Sequence, residues 1–329
     1  RVLFRSETAE GRSPWFDRGA FTTFVLDGRL WVFDRGSAAL AEFLRTGDLV
    51  GSVTGVGVGP AGMSIRASDD ETIVAYLAQR DGYFVEVERG VVWVLEIGSR
   101  ALADYVRTGE TGQSFTMVGA GPAGRSLRSV DRETLLEYLT AKPGFVTIGE
   151  EGRVWVFRDG SPELEAFRAR GGLDERVTLI GAGPMNATLL ASDRETILEW
   201  MAARPGFAVV ADEGRLWVFE EGSEALETFR RNGGPDERVT VIGAGPRNAS
   251  VQSTDRATIL RWMGAAQGFE VHVRGDALWV FDAGSAGARA FGRGEEPAEP
   301  VTRAGAGPLG TRVSSDDADT LRRYLRAIR

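Results

Sequence analysis

A tryptophan recurs every 62 residues along this chain, at Trp31, Trp93, Trp155, Trp217 and Trp279. Pro60, Pro122, Pro184, Pro246 and Pro308 keep the same interval, with no insertion between any of these markers. So strict a period restricts the fold to repeats of one supersecondary unit, in which neighbouring copies share their apolar faces. The period divides the chain into an N-terminal segment or partial cap (1–18) and repeats at 19–80, 81–142, 143–204, 205–266 and 267–329. The fifth copy diverges, with EEPAEP at Glu295–Pro300 and an Arg-rich end, and reads as a capping repeat.

The third copy shows the unit most clearly. PGFVTIG and RVWVF flank Glu151–Gly152, which predicts a hairpin with a two-residue turn. Ser161–Pro162 then suits a helix start, with Ser as the cap and Pro where no N–H is needed. The helix places Leu164 and Phe167 on one face and stops at Gly171–Gly172. VTLIGAG, a turn at Pro184–Met185–Asn186 and ATLLAS predict a second hairpin, drawn as a type I turn closed by a bulge at Asn186. Ser192 and Glu195 have capping-box spacing before the apolar stripe Ile197, Trp200 and Met201. The expected fold is therefore an α+β tandem repeat of ββαββα units with antiparallel sheets and both helices on one sheet face. An open array and a pseudo-five-fold arrangement fit the period equally well.

A lone unit of this length would be marginal, since a domain of about 60 residues buries only about 60% of its unfolded surface. The junctions Lys142–Pro143–Gly144 and Arg204–Pro205–Gly206 are short, which argues against flexible linkers.

The most suggestive motif is VGAGPAG at Val118–Gly124, which matches a dinucleotide-binding GxGxxG. That fingerprint needs a helix next, to offer its N-terminus to pyrophosphate. Here RSLRS follows and reads as a strand, and the motif recurs in every copy with Gly62, Gly124, Asn186, Asn248 and Gly310 at its last position. Gly or Asn is what a left-handed turn residue requires, so no cofactor site is assigned.

LWVF and its counterparts form apolar runs expected to be buried on both faces. Their tryptophans, Trp31, Trp93, Trp155, Trp217 and Trp279, are core candidates. They are also candidates for contacts between repeats or for ligand platforms. Asp69, Asp131, Asp193, Asp255 and Asp317 recur at the start of the last helix and read as caps. A calcium site would need a run such as DxDxDG, which is absent, so no metal site is assigned. His272 is the only histidine and there is no cysteine, which excludes thiolate chemistry and leaves no recognisable catalytic constellation.

In repeat number and mixed α/β character the chain resembles the penteins, which include guanidino-group-modifying enzymes and a ribosome-associated initiation factor. Enzymes of that family rely on a Cys nucleophile with His and acidic partners. The missing cysteine and the longer unit set this chain apart from that chemistry.

A net charge of −8 argues against a nucleic-acid partner. No apolar run is long enough to span a bilayer, although peripheral attachment to a membrane complex is compatible with the sequence. A chain without cysteine suits the cytoplasm or the periplasm equally, so the compartment stays unassigned. The chain begins at Arg1 rather than Met, which leaves room for a segment upstream. The shared positions are turn, cap and core residues, with no catalytic or cofactor-binding set. The expected function is a non-catalytic scaffold or accessory subunit whose partners are other proteins of an assembly. The alternatives are a repeat-built binding module for a glycan, peptide or small ligand and, last, a carboxylate-based enzyme. The second hairpin's tip varies as Ala61, Ala123, Met185, Arg247 and Leu309. Met185, Arg247 and Leu309 are the candidate partner contacts, since Met and Arg are enriched at interfaces.

Overall fold

The computed structural model describes residues 12–60, 63–235, 237–283 and 285–328. The expectations for residues 1–11, Ala61 and Gly62 lie outside the described residues. Unit 1 contains β1 (Phe21–Leu26), β2 (Arg29–Asp34), α1 (Ala38–Thr46), β3 (Val53–Gly55), β4 (Ser64–Ala67) and α2 (Asp70–Ala78). Unit 2 repeats it as β5 (Tyr83–Glu88), β6 (Val91–Glu96), α3 (Arg100–Thr108), β7 (Phe115–Met117), β8 (Ser126–Ser129) and α4 (Arg132–Thr140). Unit 3 has β9 (Phe145–Glu150), β10 (Arg153–Arg158), α5 (Pro162–Arg170), β11 (Val177–Leu179), β12 (Thr188–Ala191) and α6 (Arg194–Ala202). Unit 4 has β13 (Phe207–Asp212), β14 (Arg215–Glu220), α7 (Glu224–Asn232), β15 (Val239–Val241), β16 (Ser250–Ser253) and α8 (Arg256–Gly264). Unit 5 has β17 (Phe269–Arg274), β18 (Ala277–Asp282), α9 (Ala286–Gly292), β19 (Val301–Arg303), β20 (Arg312–Ser315) and α10 (Ala318–Ala327). The chain is thus an α+β tandem repeat of ββαββα units.

Both hairpins of each unit are antiparallel, as expected, but the sheet is mixed rather than antiparallel throughout. The strand order is β1-β2-β4-β3, and β2 pairs with β4 in parallel, Trp31 opposite Arg66. The link from β2 through α1 brings β3 in at the outer edge, running against β2. The second hairpin then places β4 between them, parallel to β2. A hairpin fixes only its own two strands, so the crossover decides how the pairs meet.

The helices also correct an expectation, because they lie on opposite faces. Leu30 and Val32 point toward α2 with Ile65 and Tyr76, while Trp31 and Phe33 point toward α1 with Phe24 and Phe43. Alternation along β2 gives two apolar faces, and each takes one helix. Ser37, Ser99, Ser161, Ser223 and Ser285 cap the first helix of each unit by accepting the N–H three residues on. The second helix is capped by Asp rather than Ser192-type residues. Asp193 accepts the Thr196 N–H at 2.6 Å, while Ser192 donates its hydroxyl to Asp193. A carboxylate is the stronger acceptor at the positive helix end.

Each second helix also packs on the sheet of the following unit. Val74 and Ala78 of α2 share a core with Val92 and Val94 of unit 2, and Leu198 and Ala202 of α6 do so with Leu216 and Val218 of unit 4. The same helices cover strand edges, which would otherwise invite pairing with other chains. Glu137 accepts the Gly149 N–H and Glu199 the Ala211 N–H, both at 2.7 Å. At unit 1 the N-terminal segment does this work: Ser13 donates to the Thr23 carbonyl, and Asp17 accepts the Thr23 N–H.

The ends of the array meet. Phe269 and Ala283 of unit 5 pack against the unit 1 core that contains Phe16, Phe21 and Tyr76. A hollow beside them is shared by Asp27 and Arg29 of unit 1 with Asp317 and Arg326 of unit 5. The arrangement is therefore a pseudo-five-fold ring. Phe16 completes it by standing in for the end of a preceding helix. The aromatic of each second helix donates to the last carbonyl of the helix before it: Tyr138 to Ala78, Trp200 to Thr140, Trp262 to Ala202 and Tyr324 to Gly264, at 2.5–3.0 Å. In unit 1, Tyr76 donates to Phe16 in the same way.

Candidate functional site

The second hairpin's loop is the part of the unit that fold requirements explain least. Its outline follows from the backbone. Gly181 and its counterparts Gly57, Gly119, Gly243 and Gly305 are left-handed, with φ of 66–70°. Gly183 has another reason to lack a side chain, since a Cβ there would meet Leu189 at 2.9 Å. The Gly183 N–H donates to Ala187, and the Ala187 N–H donates back to Pro184. This geometry accounts for each glycine of Val118–Gly124, which leads into β8 and not into a helix.

The tip departs from the expected type I turn with a bulge. Met185 and Asn186 are both left-handed, at φ 53° and 58°, and so are Arg247 and Asn248 at 54° and 61°. Two consecutive left-handed residues make a type I′ turn, whose twist matches that of the flanking strands. Gly, Asn or Asp normally occupies such positions. Ala123, Met185, Arg247 and Leu309 occupy the first of them at φ 52–55°, at a cost of about 1–2 kcal/mol each. All four side chains are exposed.

A second series flanks the tip. Val56, Val118, Ile180 and Ile242 stand 62 residues apart and are 81–87% exposed. Ala304 is the fifth member. The ring repeats these loops about its axis, and the exposed aliphatic groups with the tips beside them, Arg247 the one charged tip, are referred to as the rim. The spacing of Val56, Val118, Ile180 and Ile242 was readable in the sequence. Their exposure was not, because a valine or isoleucine next to a strand reads as core.

The tryptophans sit elsewhere. Trp31, Trp93, Trp155, Trp217 and Trp279 are 3–8% exposed and pack with aromatics of their own unit, as Trp155 does with Phe157 and Phe167. The structure brings them neither to one another nor to the rim. The five recurring Asp residues cap their helices, each accepting the N–H of the Thr three residues on. His272 lies 3.0 Å from Glu270, with Phe281 and Phe291 beside its ring. Among the described residues no group of three or more His, Cys, Asp or Glu could hold a metal ion, and no helix is long and apolar enough to cross a membrane.

The junctions between units differ in charge. At the 3–4 junction Arg158 pairs with Glu199. In unit 4 the same positions carry Glu220 and Arg261, and in unit 5 Asp282 and Arg323, again paired. Unit 2 has Glu96 and Glu137 there. Burial pushes the Glu137 carboxyl up to about 7 against the pull of the Gly149 N–H, and Glu96 raises it further. Unit 1 has Asp34 and Ala75. Burial, then Asp69, raises the Asp34 carboxyl, and the groove beside it widens to about 740 Å³ against about 280 Å³ at the 3–4 junction.

Comparison of the chain with protein-family models, with curated proteins and with solved structures finds no match. The likeness to penteins therefore stays at repeat number and mixed α/β character.

Proposed function

We propose that this chain is a non-catalytic ring scaffold, an accessory subunit that docks a partner protein through the rim of second-hairpin loops. The observation that carries the reading is the exposed series Val56, Val118, Ile180 and Ile242 beside strained tips. Burying four such side chains would contribute about 1.5–3 kcal/mol each, none of which the isolated ring recovers. Non-Gly residues in left-handed tips add a cost that the fold alone would remove by placing Gly there. Exposed apolar groups on successive units, with Met185, Arg247 and Leu309 beside them, have the composition of an interface core.

The test replaces Val118, Ile180 and Ile242 together by Ser, and Met185, Arg247 and Leu309 together by Ser in a second variant. Proteins retained stoichiometrically by the native ring are compared with those retained by each variant, alongside thermal unfolding. Loss of retention with unchanged unfolding supports the rim. Full retention by both variants rejects it. The alternative, a module for a small ligand, is favoured by the wide groove at the 1–2 junction. Retention by both variants would turn attention there.

A further inference from the structure

The hub of the ring carries charge that the fold does not balance. Arg18, Arg80, Lys142 and Arg204 follow the 62-residue period; Arg80, Lys142 and Arg204 lie just past the ends of α2, α4 and α6, and Arg18 just past Phe16, which stands in for such an end. Each cation lies over the aromatic of the next second helix: Arg18 over Tyr76 and Arg80 over Tyr138 at 4.8 Å, Lys142 over Trp200 at 4.3 Å, Arg204 over Trp262 at 5.2 Å. Those aromatics are the ones that link consecutive helix ends, so each cation sits beside one such link.

Some of their hydrogen-bonding capacity caps helix ends. Lys142 donates to the Trp200 carbonyl at 2.7 Å, and Arg204 to the Ala265 carbonyl at 3.1 Å. A guanidinium has five N–H donors and an ammonium three, so most of the donors remain. Among the described residues none of the four stands within ion-pair distance of a carboxylate. The nearest acid in sequence to Arg18, Asp17, is taken by Arg12 and Thr23. The cations feel one another: burial and then Arg204 lower the Lys142 ammonium to about 8.

Helix ends oppose this charge only in part. Five C-termini at about −0.5 each supply about −2.5 against four cations, which leaves an excess of about +1.5. The fifth spoke has Ala266 in place of a cation. Next to it lies a hollow of about 460 Å³ lined by Arg18, Gly59, Leu77, Ala266, Gln267 and Ala327.

The geometry points to an oxyanion site on the ring axis, in which Arg18, Arg80, Lys142 and Arg204 hold a free di- or trivalent anion of the phosphate or pyrophosphate class. The anion enters at the Ala266 spoke, which lacks a cation. Its charge offsets the excess of the hub, and its oxygens take the donors that helix capping leaves over. The hollow borders the second-hairpin loop of unit 1 through Val58, Gly59 and Pro60, but the four cations belong to none of the rim positions.

Titration calorimetry of the intact ring with inorganic pyrophosphate, at constant ionic strength, tests the assignment. One saturable site is expected, weakened at least about tenfold in an Arg80→Gln/Arg204→Gln variant, a loss of about 1.4 kcal/mol. Both side chains are exposed, so far-UV circular dichroism should not change. Ala266→Arg adds the fifth cation and should tighten binding, while the Ile180→Ser rim variant should bind as the native ring does. Heats no larger than those of a chloride-matched control would overturn the site. So would an unchanged affinity in the folded Arg80→Gln/Arg204→Gln variant, or no gain from Ala266→Arg.

Discussion

Glu137 is a destabilising group at neutral pH whose effect can be removed in two independent ways. Its carboxyl is carried from an ordinary 4.5 to about 7, first by burial and then by Glu96 and its other acidic neighbours. Because the folded-state value is raised, the associated stability is fully present below pH 4.5 and is lost as pH rises through 7. A shift from 4.5 to about 7 corresponds to at most about 3.4 kcal/mol at about 1.36 kcal/mol per pH unit. The group is not fully enclosed, so solvent screening reduces this to about 1–2 kcal/mol. Glu137→Gln keeps an oxygen for the Gly149 N–H but cannot ionise. It should match the native protein at pH 4.5 and exceed it by about 1–2 kcal/mol at pH 8. Glu96→Arg should reproduce the Arg158–Glu199 arrangement of unit 3 and raise stability at pH 8 by a similar amount. The assay is the urea midpoint between pH 4.5 and 8 for the three proteins. Parallel loss of stability in the native protein and Glu137→Gln would refute the reasoning, because Glu137 would then not titrate in that window.

Trp155→Ala should cost about 3–5 kcal/mol in chemical denaturation, since its ring is 3% exposed among Phe157 and Phe167. Met185→Gly should raise the unfolding free energy, read from the denaturant midpoint, by up to about 1 kcal/mol, because it removes a left-handed Met. Asn186→Ala should lower it by about 1 kcal/mol. Tyr138→Phe leaves the Ala78 carbonyl without its donor and should cost about 1 kcal/mol, seen as faster amide exchange at the end of α2.

The unit was legible because its punctuation is local. Glu151–Gly152 fixes one hairpin, Pro184–Met185–Asn186 the other, and Ser161 and Gly171 bound a helix, whatever lies around them. The placement of the helices was also within reach. A strand buried on both faces, as Leu30-Trp31-Val32-Phe33 is, needs cover on both, and two helices on one face would have left Trp31 bare. What could not be read is set by longer contacts. The parallel pairing of β2 with β4 depends on the route through α1, and ring closure depends on the angle at each junction, which no residue type encodes. Among candidate contacts, Met185, Arg247 and Leu309 emerged from their variability. Val118, Ile180 and Ile242 did not, since exposure is a property of the folded loop.

A ring of near-equivalent units has a difficulty that an open array lacks: anything approaching along its axis meets five orientations of almost equal merit. This ring carries its own index marks. Phe16 occupies one junction alone, the Ala266 spoke lacks a cation, and the tips read Ala123, Met185, Arg247 and Leu309 in succession. Together they turn a rotational degeneracy into a dial with one preferred setting, and a bound molecule larger than one unit would be held in a single rotational register.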